Sequence, residues 1–272
     1  RSDADVDYLF GQVVVDEARV DYAPTCGNIL AGVGPFAIES GLVPASRTGA
    51  TRVRIWMANT DSLCEATVAT PGGEVTYDGD ARISGVPGSA APVLLAFAGT
   101  AGSTCGTLLP SNHPQDVVAG VPVTCIDNGM PTVILAATDL GITGDESPDV
   151  LEADTDLTER LAQIRLQAGK LMRLGDVSTK TVPKLTLVSA PGGDGTVNTR
   201  TFIPTRCHTA IGVLGAITVG TAARIPGSVA QRLSRDIDRN VVRIEHPTGY
   251  FDVVERTAAR LGRTRLIDNL AV

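Results

Sequence analysis

The sequence predicts an α+β protein with two similar lobes, each made of short strands around one buried helix. Three observations predict it. Hydrophobic residues make up 43% of the 272 residues but aromatic ones only 4%, so the cores must be built from Val, Leu, Ile and Ala, a composition that favours strands. The 29 glycines and 16 prolines suit many short strands joined by turns. Finally, Cys26-Gly-Asn-Ile-Leu-Ala-Gly-Val-Gly34 and Cys207-His-Thr-Ala-Ile-Gly-Val-Leu-Gly215 share a layout: a cysteine ends an extended stretch, an apolar helix starts, and a glycine falls eight residues later.

Taken in order, residues 8–15 and 19–22 read as strands. Ile29, Val33 and Phe36 then recur at helical spacing, with Gly41 as the stop. In residues 51–59, Val53, Ile55 and Met57 alternate with Arg52 and Arg54, the pattern of a half-buried strand. A hairpin over 64–69 and 74–78 is expected around Pro71-Gly72-Gly73. The run Pro92–Phe97 leads into a Gly/Ser/Thr-rich crossover at 99–107. The expected lobes are therefore 1–98, with 263–272 returning as a last strand, and 99–262. In the second lobe, strands 121–126 and 133–137 flank Asn128-Gly129-Met130-Pro131. Residues 156–172 form an amphipathic helix with Asp156 and Glu159 as its capping box and Leu157, Leu161, Ile164, Ala168 and Leu171 as its stripe. Strands 184–190 and 197–203 follow, then a second apolar helix over 209–222. Pro191-Gly-Gly-Asp-Gly195 lacks the Gly-Lys-Ser/Thr ending of a phosphate loop and reads as a hairpin turn.

The net charge is −7 with no basic stripe, which speaks against nucleic acid. No apolar run reaches the ~18–20 residues of a membrane span, and no signal peptide is recognisable. The five cysteines lie far apart, without CxxC pairs or histidines at zinc spacing, so neither a metal site nor a disulfide framework is expected and a cytoplasmic location fits. The opening Arg-Ser-Asp-Ala-Asp and the abrupt end at Val272 read as a chain cut from a longer product.

A helix that is apolar nearly all round is buried on every side, and each glycine within it costs about 1 kcal/mol against alanine. Gly34 and Gly215 are then explained by close packing against a wall. A helix amino end offers unpaired N–H groups and a positive dipole end, which favours carboxylates and a thiolate. Cys26 is the expected acid–base group on that ground, with Gly27 and Asn28 opening the backbone beside it. Cys64 and Cys125, inside strands, and Cys105 are expected to be inert buried thiols. His113 and His246 are expected to be solvated.

The segment Pro24-Thr-Cys-Gly-Asn-Ile-Leu-Ala-Gly-Val-Gly-Pro-Phe-Ala-Ile38 resembles the cysteine motif of the PrpF family. Gly106-Thr-Leu-Leu-Pro110, Val123-Thr-Cys-Ile-Asp-Asn-Gly-Met-Pro131, Asp139-Leu-Gly-Ile-Thr-Gly144, Ile164-Arg-Leu-Gln-Ala-Gly169 and Phe202-Ile-Pro-Thr-Arg-Cys-His208 extend the likeness over nearly the whole chain. The resemblance implies the diaminopimelate-epimerase fold: two pseudo-symmetric lobes, each a curved, mostly antiparallel sheet or barrel wrapped round a central helix. It implies a cofactor-independent isomerase that performs a 1,3-allylic, keto–enol proton shift on a small unsaturated di- or tricarboxylate such as 4-oxalomesaconate. Cys26 is the general acid/base in that scheme, and its lysine partner falls before Arg1, as does the family's Arg-Gly-Gly-Thr-Ser segment.

For a substrate of that charge, the expected binding residues are Gly27, Asn28, Met130, Arg200, Thr201, Arg206, Cys207, His208 and Thr209, with Lys184 adding positive potential. No cofactor or metal is expected. Expected partners are the polycarboxylate and, in a homodimer, a second copy of the chain. Rival readings are a 2-methylaconitate-type isomerase, a two-cysteine racemase using Cys26 and Cys207, a cysteine hydrolase using Cys26 with His208, and an inactive carboxylate-binding protein.

Overall fold

A computed structural model describes residues 2–14, 18–235, 241–261 and 264–271, with side chains described at neither Val14 nor residues 255–271. The chain divides into two compact units, Arg1–Thr100 with Val254–Val272, and Ala101–Val253. The crossing points fall at 100/101 and 253/254, where the sequence reading has 98/99 and 262/263.

The first unit begins with β1 (Val6–Tyr8), β2 (Gln12–Val14) and β3 (Arg19–Asp21). Val15, the end of the strand expected over 8–15, lies outside the described residues, and Leu9–Gly11 separates β1 from β2. The helices α1 (Gly27–Leu30) and α2 (Val33–Glu39) follow, then β4 (Thr48–Met57), β5 (Ser62–Pro71) and β6 (Leu94–Ala98). β1 lies parallel to β4, while β4–β5 and β5–β6 are antiparallel. Alternation sets the faces: Val53, Ile55 and Met57 on β4 and Cys64, Ala66 and Val68 on β5 are buried.

The expected single helix after Cys26 is two short ones, and its buried face is not the expected one. Ile29 and Phe36 are 58% and 62% exposed, whereas Leu30, Gly34, Ala37 and Ile38 are buried, themselves spaced i, i+4, i+7 and i+8. Gly34 is explained by contact: a Cβ there would lie 2.9 Å from Val68 Cγ2 and 3.1 Å from Ala66 Cβ. The second arm of the expected hairpin, 74–78, is not a strand. One bond, Thr76 N–H to Ala69 O at 3.2 Å, returns to β5, but Val75 and Tyr77, which alternate along the stretch, are not buried: Val75 is half-buried and Tyr77 exposed.

The second unit starts with β7 (Asp116–Val118), β8 (Val121–Asp127) and β9 (Pro131–Ala136), then a short 3₁₀ turn, α3 (Pro148–Ala153) and α4 (Thr155–Leu171). β10 (Lys184–Ser189), β11 (Val197–Ile203), β12 (Arg206–Cys207), α5 (Val213–Ala223), α6 (Val229–Leu233) and β13 (Val241–His246) complete it. β14 (Gly249–Leu261) carries the chain back to the first unit, where the backbone of β15 (Thr264–Ala271) pairs with β6 through Asn269 and Phe97. Within the unit the strand order is β13-β11-β10-β9-β8-β7, with β12 on β11. β10 is parallel to β9, and β13 to β11. α5 is buried at every residue, as an apolar helix must be.

Three details differ from the sequence reading. Asp154, not Asp156, caps α4: its Oδ1 accepts from Leu157 N–H at 2.9 Å. The stripe ends on buried Met172 and leaves Leu171 at the surface, because Met172 lies four residues beyond Ala168 and keeps the helical period. α5 begins at Val213 rather than 209, because residues 208–212 form an irregular segment that bonds to neighbouring strands.

Candidate active site

In the first unit, Cys26 is the N-cap of α1, with extended φ −125° and ψ 108°. It is partly exposed. Its carbonyl accepts the first helical bond from Leu30 N–H at 3.1 Å and a second bond from the Tyr8 hydroxyl at 3.2 Å. Tyr8 is buried, and burial followed by the neighbouring Cys26 raises its phenol above the ordinary value. Tyr8 therefore stays a neutral donor that fixes the backbone of Cys26 from β1. Sequence reading gives Tyr8 no role; a lone tyrosine at a strand end is its only signal. Beside the cysteine, the Thr25 hydroxyl is buried with no partner among the described residues.

The second unit assembles a different group. Asn128-Gly129-Met130 forms the turn between β8 and β9, with Gly129 at φ +85°, a conformation glycine adopts without strain. The turn rests on α5. Asn128 Nδ2 donates to Thr221 Oγ1 at 2.9 Å, and the Thr218 hydroxyl donates to Leu214 O at 2.8 Å with Asn128 O at 3.2 Å beside it. Asp127 braces the other side, its Oδ2 accepting from the amides of Thr104 and Cys105 at 2.8 and 2.7 Å. Burial raises the Asp127 carboxyl above its usual range.

Arg200, on β11, is 7% exposed. Its guanidinium donates to Glu146 O, Asn198 Oδ1 and Thr199 O at 2.8–2.9 Å. Cys207, on β12, is buried, and its amide donates to Glu152 Oε1 at 2.8 Å. Burial pushes its thiol up to about 11, with Glu152 adding to the rise and Arg200 opposing it. His208 is half-buried; its amide donates to Thr201 O at 2.7 Å, and its Nδ1 accepts from Ala210 N–H at 2.9 Å. Burial, then Lys184, lowers its pKa, so the ring is neutral at pH 7.

The PrpF protein family model matches residues 1–267. The chain belongs to the PrpF family. It is 60% identical over 255 residues to a 4-oxalomesaconate tautomerase of Pseudomonas putida, which spans 93% of this chain and 70% of the relative. It is 56% identical over 256 residues to a (4E)-oxalomesaconate Delta-isomerase of Novosphingobium, covering 93% and 71%. The crystal structure of a methylitaconate-delta-isomerase superposes with a TM-score of 0.82 at 34% identity, covering 99% of this chain and 76% of that one. A hydroxyproline epimerase at 16% identity and a TM-score of 0.50 shares the fold. This PrpF chain has the α+β fold of the diaminopimelate-epimerase type, and it is an isomerase.

The structure gathers the expected residues of the PrpF chain into two local sets. Cys26, Gly27 and Asn28 stand together at the start of α1 in the first unit. Met130, Arg200, Thr201, Arg206, Cys207, His208 and Thr209 belong to the second. Of these, Arg206 and Thr209 are exposed and His208 half-buried, whereas Met130, Arg200, Thr201 and Cys207 are buried. The Thr201 hydroxyl is paired with Thr186 Oγ1 at 3.0 Å.

Three expectations are corrected. Cys207 does not start a helix: α5 opens at Val213 behind Gly212. Gly215 is not required by packing, since a Cβ there would meet nothing closer than Ile211 Cγ1 at 3.6 Å. His246 is not solvated but 6% exposed, because it continues the inward face of Val242 and Ile244 on β13. That alternation is the signal that could have placed it inside. The glycine loop is likewise a cradle: Gly192, Gly193 and Gly195 donate their amides to the Glu245 carboxylate at 2.8–2.9 Å. Among the described residues, no group of His, Cys, Asp or Glu could hold a metal, and no helix is long and apolar enough to cross a membrane.

Proposed function

We propose that this chain interconverts the tautomers of a small unsaturated polycarboxylate, with 4-oxalomesaconate as its substrate. The observation that carries this reading is the 60% identity to a 4-oxalomesaconate tautomerase over 93% of the chain. Cys26 is the acid–base group: it is partly exposed, and its backbone is held from two sides. Its thiolate takes a proton from the carbon next to the ketone and becomes the thiol, the electrons move into a dienolate, and an acid returns a proton at the far end of the conjugated system. Its partner is a lysine, as the family resemblance implies. In the first unit Gly27 and Asn28 are the carboxylate-binding residues of this reading, and in the second Arg206, His208 and Thr209. Arg200 contributes buried positive charge, and Thr201 and Met130 shape the support beneath. Cys207 is left out of the proton transfer because a thiol with a pKa near 11 has about one thiolate in 10⁴ at pH 7. The reaction needs no cofactor, and the free thiols fit a reducing cytoplasm.

The test is to supply the purified protein with 4-oxalomesaconate, 3-methylitaconate and 2-methylaconitate and follow double-bond position by NMR. The expected result is conversion of 4-oxalomesaconate without additives, with the other two at least about tenfold slower in kcat/KM. No conversion of 4-oxalomesaconate, or a clear preference for either other acid, would overturn the assignment.

A further inference from the structure

Residues 208–212 leave β12 as an irregular segment and reach α5 at Gly212. On the β11 side the segment is held by His208 N–H to Thr201 O, and within itself by Ala210 N–H to His208 Nδ1. Its other tie comes from the turn between β13 and β14. There the Thr248 hydroxyl donates to Thr209 O at 3.0 Å and lies 3.2 Å from His246 Nδ1. A hydroxyl has one proton. With that proton on the Thr209 carbonyl, we take the ring contact as an Nδ1–H donating to Thr248 Oγ1, one of the two roles the ring tautomers allow. The amide of Thr248 also approaches Nδ1, at 3.4 Å, but this longer contact is the one the arrangement forgoes. Ring N–H, hydroxyl and carbonyl then run in one direction, so each bond polarises the next.

The end of β13 is pinned well enough to serve as an anchor. It pairs in parallel with β11, Asn198 against Glu245. The Glu245 carbonyl accepts from Thr199 Oγ1 at 2.7 Å while its carboxylate sits among three glycine amides. A Cβ at Gly195 would clash with Glu245 Cγ, which explains a glycine at that position. His246 therefore stands on a fixed strand end, buried, with His208 and Arg200 close enough to act on it electrostatically.

We propose that His246 and Thr248 form a clamp on the Thr209 carbonyl that holds His208 and Thr209 where they meet the substrate's carboxylates. Both are positioning residues, acting through Thr209. The proposal rests on the binding roles given to His208 and Thr209 above. It predicts a defect in binding, not in chemistry, because the clamp lies behind the segment and touches no reacting atom.

Steady-state kinetics with 4-oxalomesaconate and long-range ¹H–¹⁵N NMR of the histidine rings test it on the intact protein. Thr248→Val should raise KM about tenfold, the scale of one lost hydrogen bond, with kcat within about twofold. Thr248→Ser, which keeps the hydroxyl, should stay within about twofold of the parent in both. His246→Leu should match Thr248→Val. His246→Asn, whose amide can stand where Nδ1–H does, should recover most of the loss. The double variant Thr248→Val/His246→Leu should be no worse than either single one, as expected for members of one chain. In the spectra, the parent His246 should carry its proton on Nδ1, and Thr248→Val should move it toward Nε2. An unchanged KM in Thr248→Val, a Thr248→Ser as impaired as Thr248→Val, additive losses in the double variant, or a His246 signal indifferent to Thr248 would each overturn the clamp. Should the parent fail to turn over 4-oxalomesaconate, the functional reading falls, and the NMR comparison still decides whether the clamp exists.

Discussion

Cys26 and Cys207 sit in segments of matching layout, but the fold gives them different surroundings. Cys26 caps a helix, is partly exposed, and has a tyrosine hydroxyl and a helical amide on its carbonyl. Cys207 lies in a two-residue strand, is buried beside Glu152 and Arg200, and has its thiol pushed up to about 11. The glycines eight residues on differ in the same way. Gly34 is forced by Val68 and Ala66, whereas Gly215 meets only ordinary contact. A shared sequence layout thus specifies a cysteine followed by an apolar helix, buried on one face after Cys26 and throughout in α5, but where the helix starts decides whether the sulfur is available. Five residues, His208–Gly212, separate Cys207 from α5.

The largest effect expected from this contrast is in thiol alkylation at pH 8, followed site by site by mass spectrometry. Cys207, with a pKa near 11, presents about one thiolate in a thousand, so it should react at least about a hundredfold more slowly than Cys26. Because burial holds its proton on, the Cys207 rate should climb about tenfold per pH unit until pH nears 11. Equal rates at the two sulfurs would erase the contrast. Next in size is Arg200→Leu, which strips donors from Glu146 O, Asn198 Oδ1 and Thr199 O. Burying these acceptors unpaired should cost about 2–4 kcal/mol in urea unfolding. It should also slow Cys207 alkylation further, since the arginine's charge lowers that thiol's pKa. A urea midpoint that does not move would show that Arg200 is not the support of β11. The smallest effect is Glu152→Gln. Its amide oxygen still accepts from the Cys207 amide, but the charge that raises the thiol pKa is gone. Cys207 alkylation should quicken about two- to fivefold while Cys26 stays constant.

Much of the fold was legible because strands and helices write their periods into apolar residues. The alternation Val53, Ile55, Met57 and the stripe Leu157, Leu161, Ile164, Ala168 both lie where the pattern puts them. The pattern fails where short-range chemistry competes. Glu74–Asp80 has the turn before it, but its Val75 and Tyr77 stay out of the core, and Asp154 outdoes Asp156 as a cap by standing one residue before α4 begins. The candidate site was legible at Cys26, Gly27 and Asn28, where three consecutive residues share one helix start. It was less so at His246, Tyr8 and Thr248, whose roles depend on β11 and β13 pairing in parallel and on β1 lying along β4. Such pairings join residues 47 or more positions apart, which no local motif records.

The central claim is that one sulfur of the two moves the proton. Its most direct test is solvent-deuterium incorporation into 4-oxalomesaconate in D₂O, followed by NMR with Cys26→Ser and Cys207→Ser side by side. Cys26→Ser should slow incorporation by about 10²–10⁴-fold, as loss of a general acid–base group does, while Cys207→Ser should stay within about threefold of the parent. Incorporation that survives Cys26→Ser, or that collapses in Cys207→Ser, would contradict the account.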